Sequence, residues 1–302
     1  MKHPYAFQVP PQKQLRVILN TDAKNEADDQ FAIVQGLLTP KFCIRGIIAA
    51  HFGTRRTTRS MQESYEEVQK LLDLMDKTDD VPLFQGAGYA LPDVHTPVPS
   101  PGAQAILDEA HRDDPRPLYV LFLGPLTDMA SAYLMDPTIA GKLTCIWIGG
   151  GDWPKGGEEF NLSNDIHAAN VVLQSGIPVW QVPRDVYSMV RVSLAELQLK
   201  VRPHGKIGRY LFQQLVDFNT AMGDQPGWPL GESWSLGDSP AIGLLLDEHL
   251  FDYDVRPVPF IDGQMHYLPL DSDKTLRVYK WMDARFILED LFSKLALCYP
   301  VE

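Results

Sequence analysis

The chain is poor in cysteine, has no long apolar run and carries no basic cluster. Its three cysteines, Cys43, Cys145 and Cys298, are widely separated in apolar stretches and form no CxxC pair, which argues against a disulfide framework or a thiolate zinc site and reads as buried thiols. No stretch approaches the length needed to span a bilayer. Met1 to Gln14 is polar and proline-bearing with no apolar core, so a cytoplasmic location without a membrane partner is expected. With 27 Lys and Arg against 39 Asp and Glu, a formal net charge of −12 and no Lys/Arg run, no nucleic-acid partner is expected; a small neutral or cationic ligand fits better. A DxDxT pattern and a Gly/Lys phosphate cradle are also missing, which removes the usual features of a metal-dependent phosphatase. No solenoid-period repeat or low-complexity tract is present.

What is there is enough apolar material for a sizeable core: 45% of the 302 residues are hydrophobic and 22% charged. No proline- or serine-rich linker divides the chain. One domain over residues 1–302 is expected, with an N-terminal extension at 1–14 and C-terminal strands and a closing helix at 251–302. Leu15 to Leu19 reads as a buried strand, followed by a polar loop and then a helix from Asp28 to Leu38, stopped by Pro40. Strand patterns recur at Ile44 to Ala50, Val81 to Phe84, Leu118 to Leu123, Leu143 to Ile148 and Val179 to Val182. Helical patterns at Thr57 to Met75, Pro101 to His111, Thr127 to Leu134 and Asp165 to Ser175 fall between them. This alternation predicts an α/β fold, a mostly parallel (mixed) central sheet with helices on both faces. Beyond Ser188 the reading is a long helical stretch from Leu194 to Met222, a Gly/Pro/Trp-rich segment, a helix from Ser239, strand-like alternation from Val255 to Tyr279 and a helix from Ala284 to Leu297. In such sheets ligands bind beyond the carboxyl ends of the strands, so the loops after Leu19, Ala50, Leu123 and Ile148 should meet in one crevice.

The first of these loops, Asn20 to Asp29, holds four carboxylates, Asp22, Glu26, Asp28 and Asp29, within eight residues. Like charges so close raise one another's pKa unless a cation or hydrogen bonds compensate them, and a divalent metal is the economical compensation. Oxygen donors without His or Cys suggest Ca²⁺ or Mg²⁺. Asp28 and Asp29 taken alone are also explained as an acidic helix N-terminus meeting the macrodipole. Asp22 at a strand's carboxyl end tips the balance toward a site.

The loop resembles the DTDxGxDD signature of the inosine-uridine preferring nucleoside hydrolases, in a variant with two extra residues before the paired aspartates and a Gln after them. Three further segments follow in the family's order. Leu121 to Ala130 (LFLGPLTDMA) resembles its glycine-leucine-threonine turn. Ile146 to Gly151 followed by Glu159-Phe160-Asn161 resembles its GG…EFN segment, and Gly237-Asp238 falls where its late metal-binding aspartate stands.

The resemblance implies a nucleoside hydrolase-like fold and a Ca²⁺-dependent hydrolase that splits the N-glycosidic bond of ribonucleosides into free base and ribose, working as a homodimer or homotetramer. It implies Asp22, Asp29, Asp238 and the main-chain carbonyl of Leu123 as metal ligands, with Asp22 also accepting the proton of the attacking water. Asp28 and Asn161 would grip ribose hydroxyls, with Glu159 near the 5′ end; outside this context Asn161 reads as a loop cap. The chain departs from the pattern in four places. The first signature position, usually Asp, is Asn20; Lys24-Asn25-Glu26 lengthens the loop; the family's Asn a few residues before EFN has no counterpart in Trp153 to Glu158; and the His that in one branch precedes the late aspartate is Gly237. Another leaving-group acid is then needed, for which His51 at a strand end, Tyr89 and His95 are candidates. Trp228 or Trp234 stacked on the base is the alternative. These departures keep two other readings open: a glycosidase acting on a non-nucleoside riboside, and a ribose- or nucleoside-binding protein with little turnover.

Overall fold

The computed structural model describes residues 4–301; residues 1–3 of the expected N-terminal extension and residue 302 lie outside it. Among the described residues twelve strands follow in chain order: β1 (Leu15–Thr21), β2 (Phe42–Ala49), β3 (Leu83–Gln85), β4 (Leu118–Phe122), β5 (Thr144–Ile148), β6 (Val179–Val182), β7 (Arg191–Ser193), β8 (Ser233–Ser235), β9 (Tyr253–Pro257), β10 (Phe260–Ile261), β11 (Tyr267–Leu268) and β12 (Thr275–Tyr279). Eight of them form one sheet in the order β3-β2-β1-β4-β5-β6-β12-β9. Every neighbouring pair is parallel except β12 with β9, which are antiparallel at the edge. The sheet is therefore the mostly parallel, mixed one that the alternation predicts.

The interior strands are mostly apolar because both faces are covered, with polar residues such as Arg16, Asn20 and Thr21 of β1 toward the strand ends. Successive residues divide between the two faces: Val17 and Leu19 of β1, with Ile146 and Ile148 of β5, enter one core, whereas Ile18, Cys145 and Trp147 enter the other. Helices Asp29–Leu37, Ser239–Leu246 and Ala284–Cys298 supply the first core; Pro101–Ala110, Thr127–Met135 and Ile166–Ser175 supply the second. Among the described residues no helix is long and apolar enough to cross a membrane.

The expected helix from Leu194 to Met222 is two helices, Leu194–Lys200 and Gly205–Ala221. Pro203 disfavours helical backbone at the residue before it and withholds an amide donor, which separates them. The Trp-rich segment also carries structure: β8 pairs antiparallel with β7, Arg191 opposite Ser235 and Val192 opposite Trp234. This ribbon delivers Gly237 and Asp238 to the carboxyl edge of the sheet.

Candidate active site

The site begins where β1 ends. Leu123 N–H donates to Asn20 O at 2.9 Å, so the exits of β1 and β4 are held side by side. Asp22 turns into the gap, buried at 1% exposure, and its Oδ2 has no hydrogen-bond partner. Gly124 makes room for it: a Cβ there would lie 2.9 Å from Asp22 Cγ.

The long acidic loop is tied down at Lys24 and Asn25. Asn25 N–H donates to Asp22 O at 2.8 Å, Arg56 donates to Asn25 O, and Lys24 reaches outward to Glu67 at 3.0 Å. The chain then enters helix Asp29–Leu37 with Asp28 at its N-cap. Asp28 Oδ2 accepts the Gly237 N–H at 2.9 Å, and Asp29 Oδ1 accepts the Thr21 hydroxyl at 2.5 Å. Asp238 is the N-cap of helix Ser239–Leu246. Two helix N-termini thus meet at the acids, where their dipoles favour negative charge.

Carboxylate oxygens of Asp28, Asp29 and Asp238 lie within 4.8 Å of one another. Asp22 and the Leu123 carbonyl residue line the same cavity of about 50 Å³, with Glu26, Glu159, Asn161, Tyr187 and Gly237 completing most of its wall. The structure brings together all seven residues that the family pattern singled out. The tightest acidic trio, however, contains Asp28, which the pattern assigned to the sugar, in place of Asp22.

Electrostatics mark this cavity. Burial, reinforced by repulsion from Asp29, Asp28 and Glu26, pushes Asp22 well above the usual carboxylate range. Burial followed by the Asp29 charge does the same to Asp238. Burial raises Asp28 to about 6; burial and the Asp28 charge raise Asp29 to about 7 and Glu26 to about 8. An all-oxygen donor set, an unpartnered buried oxygen and strained carboxylates within one small cavity suit a hard divalent cation.

Glu159 and Asn161 are more structural than expected. Glu159 caps helix Phe160–Asn164 and its two oxygens accept four donors: Gly150 N–H at 2.8 Å, Leu162 N–H at 2.9 Å, Asn161 N–H at 3.1 Å and Tyr187 O–H at 3.0 Å. The Asn161 amide donates to Leu123 O and Ile148 O, both at 2.8 Å, pinning the exits of β4 and β5. Its side-chain carbonyl is the part left for a ligand. Asn20 owes its identity to Asp128: its amide donates to Asp128 Oδ2 at 2.9 Å, while Oδ1 takes Ala87 N–H at 2.8 Å and the Ser100 hydroxyl at 2.6 Å. A second buried acid facing Asp128 would be repelled.

The expected acid His51 does not line the cavity. Its Nδ1 accepts the Gly53 N–H at 3.2 Å, so Nε2 carries the proton and donates to Thr127 Oγ1 at 2.9 Å; that hydroxyl donates to Asp165 Oδ2 at 2.7 Å. Burial lowers the imidazole to about 4, and the ring is a neutral structural link between loops. Tyr89 and His95 are exposed and line neither the carboxylate cavity nor its neighbour. Trp234 is buried, 5.3 Å from Trp228 and edge-on to Phe218 at 5.8 Å. Both tryptophans line a second lobe of about 220 Å³ that shares Glu26, Asp28, Tyr187 and Gly237 with the first. Glu26 and Tyr187 received no role from the sequence. Tyr187 follows the carboxyl end of β6, and extending the strand-end rule to that strand would have found it.

The comparisons with known proteins agree with this geometry. The family model described as inosine-uridine preferring nucleoside hydrolase matches residues 17–284. The pyrimidine-specific ribonucleoside hydrolase RihA of Salmonella arizonae is 26% identical over 262 residues, covering 78% of this chain and 81% of that one, and the Escherichia coli RihA is 25% identical over the same extent. Among solved structures, the plant nucleoside hydrolase PpNRh1 superposes with a TM-score of 0.77 at 20% identity, covering 95% of this chain and 99% of that one. The purine-preferring ribonucleoside hydrolase from Gardnerella vaginalis gives the same TM-score and identity over 94% and 99%. With the ordered motifs, the sheet and the carboxylate cavity in agreement, this chain belongs to the inosine-uridine preferring nucleoside hydrolase family.

Proposed function

We propose that the chain is a Ca²⁺-dependent ribonucleoside hydrolase that releases a free base and ribose. The observation that carries this reading is the convergence of acids from two distant segments, residues 22–29 and Asp238, on one cavity where the buried Asp22 Oδ2 has no partner. Asp22, Asp29, Asp238 and the Leu123 carbonyl would hold the cation, with Asp28, whose carboxylate oxygen lies within 4.8 Å of those of Asp29 and Asp238, placed to share in holding it. Bound there, Ca²⁺ would make a water more acidic and a better nucleophile.

The chain's own residues supply the rest. Asp22, fixed against Gly124, accepts the water's proton through its free oxygen. Asp28, held by the Gly237 amide, and the Asn161 carbonyl orient ribose hydroxyls. Glu159 and Tyr187 form the rigid wall beside them, and the surrounding carboxylates stabilise positive charge as the C1′–N bond weakens. The same reading includes a homodimer or homotetramer working in the cytoplasm, which light scattering and cell fractionation test.

Reducing sugar released from a nucleoside panel, with and without chelator, tests the proposal. Release that chelator abolishes and Ca²⁺ restores supports it. Tight nucleoside binding without release favours the non-catalytic reading that Gly237 suggests. Release from synthetic ribosides only favours a non-nucleoside substrate.

A further inference from the structure

The second lobe differs in charge from the first. The carboxylate cavity contains no basic residue in its wall, whereas the lobe beyond Tyr187 and Gly237 carries Arg184 and Arg191 beside Trp228 and Trp234. Arg184 is already spoken for: it donates to Glu158 O at 2.6 Å and to Asp152 Oδ1 at 3.2 Å. Arg191 is not. Its Nε donates to Ser188 O at 3.0 Å, and among the described residues no carboxylate lies within ion-pairing distance of its guanidinium. Strand pairing fixes its backbone opposite Ser235, itself part of the lobe.

Neither lobe contains a histidine, lysine or cysteine. A side chain at 237 is also sterically opposed, since a Cβ there would lie 3.0 Å from the Tyr187 ring and 3.3 Å from Asp28 Oδ2. Tyr187, its hydroxyl already donated to Glu159 at 3.0 Å, has no proton to spare. A base leaving the sugar therefore leaves Asp22, Asp29 and Asp238 behind and enters a lobe that keeps Glu26 and Asp28 on the shared side but adds aromatic faces and the guanidinium of Arg191, which no carboxylate among the described residues pairs.

Resting on the hydrolase reading above, we infer that this lobe receives the leaving base and that Arg191 stabilises it as an anion, selecting ribosides with acidic leaving groups of the uracil-type imide class. The C1′–N bond breaks with its electron pair remaining on the base nitrogen. The water oxygen bonds C1′, the water proton passes to the Asp22 carboxylate, and the base anion takes a proton from solvent after release. Arg191 is exposed and held at one point, Nε on Ser188 O, so its guanidinium already stands at the lobe when the negative charge develops, and a cation in place beforehand is the condition under which such contacts accelerate a step. Trp228 and Trp234 provide the apolar surface that excludes water around the ring and strengthens the attraction.

The test compares the full chain with Arg191→Gln and Arg191→Lys, all with Ca²⁺ present, on uridine, on uridines carrying electron-withdrawing 5-substituents, and on 4-nitrophenyl β-D-ribofuranoside. The nitrophenyl riboside leaves readily without help. Arg191→Gln is expected to lower kcat on uridine about 10- to 100-fold, with a smaller change in KM and less than about 3-fold change on the nitrophenyl riboside. The loss should shrink as the 5-substituent makes the base more acidic, and Arg191→Lys should recover most of it. Equal losses on both substrate types, or no loss on uridine, overturn the inference, as does a leaving-group-dependent loss in Glu26→Gln with none in Arg191→Gln. If the unmodified chain cleaves the nitrophenyl riboside but no uridine, the inference fails while the hydrolase chemistry stands; if it cleaves neither, both fail.

Discussion

Charged residues are buried at both ends of the central sheet, but they are compensated at only one. At the amino edge, Glu109 is 4% exposed and meets three guanidinia: Arg16 at 3.0 Å, Arg45 at 3.2 Å and Arg112 at 2.7 Å. Those hydrogen-bonded partners outweigh its burial and hold its carboxyl below the usual range. Asp114 is likewise pulled down, by Arg116. At the carboxyl edge, Asp22, Asp29 and Asp238 are also buried and their carboxyls are pushed upward. Glu109 and these three acids are all almost closed to solvent, but Glu109 lies less deeply and faces three guanidinia, whereas the acids at the carboxyl edge lie deep and face one another. A buried ion pair completed by the chain itself is architecture, and a buried acid left incomplete marks the place where something outside the chain has to come in.

The sharpest way to break this contrast is to neutralise one acid at each end. Asp22→Asn should lower kcat by about 10²- to 10⁴-fold while leaving nucleoside affinity within a few-fold, as expected for loss of a proton acceptor. Its thermal stability in chelator should hold or rise, because an uncompensated buried charge has been removed. Glu109→Gln should do the reverse, costing about 3–5 kcal/mol in denaturant unfolding by stranding Arg16 and Arg45, with kcat of the folded fraction unchanged. A large stability loss in Asp22→Asn, or an activity loss in Glu109→Gln, would erase the distinction.

A second effect concerns pH. Unfolded carboxylates titrate near pH ~4, whereas in the folded, cation-free chain Asp28, Asp29 and Glu26 titrate at about 6, 7 and 8. The folded state then binds more protons between those limits, so its stability falls as pH rises from about 4 to 8. Saturating Ca²⁺ should cancel this slope and raise Tm at pH 8 by roughly 5 °C when present at about 100 times its Kd. Differential scanning fluorimetry in chelator and in Ca²⁺ across that range measures both. A flat profile in chelator would mean that the acids are compensated by other means.

The smallest effect sharpens the boundary between the regions. Asn20→Asp places a carboxylate where the amide now donates to Asp128 at 2.9 Å, and should cost about 1–3 kcal/mol. Adding Asp128→Asn should recover most of that loss, since the pair is restored with donor and acceptor exchanged. A double-mutant cycle in urea reads the coupling, and additive losses would show that the two side chains do not depend on each other.

Strand and helix positions, the parallel sheet and the acidic loop were legible in the sequence because each depends on short-range pattern. Alternation of apolar runs with amphipathic segments names the elements, and a strand followed by crowded acids names the site. Residues 22–29 announced themselves since like charges so close in sequence stay close in any fold. Asp238 became recognisable only through its place in an ordered set of motifs. The position of His51 at a strand end was read correctly and its use was not: sequence gives the address of a side chain, whereas Gly53 and Thr127, which occupy its two nitrogens, are neighbours chosen by the fold.

Sequence alone thus determined the class of fold, the family and the acids at the end of β1. Tertiary structure alone decided that Asp28 joins Asp29 and Asp238 within 4.8 Å, that Glu26 and Tyr187 stand between two lobes, and that Arg191 faces the second lobe without a counter-ion. The physical reason is range: propensity and periodicity act over a few residues, while electrostatic compensation is settled by whichever charges the packed helices and strand exits bring within a few ångströms.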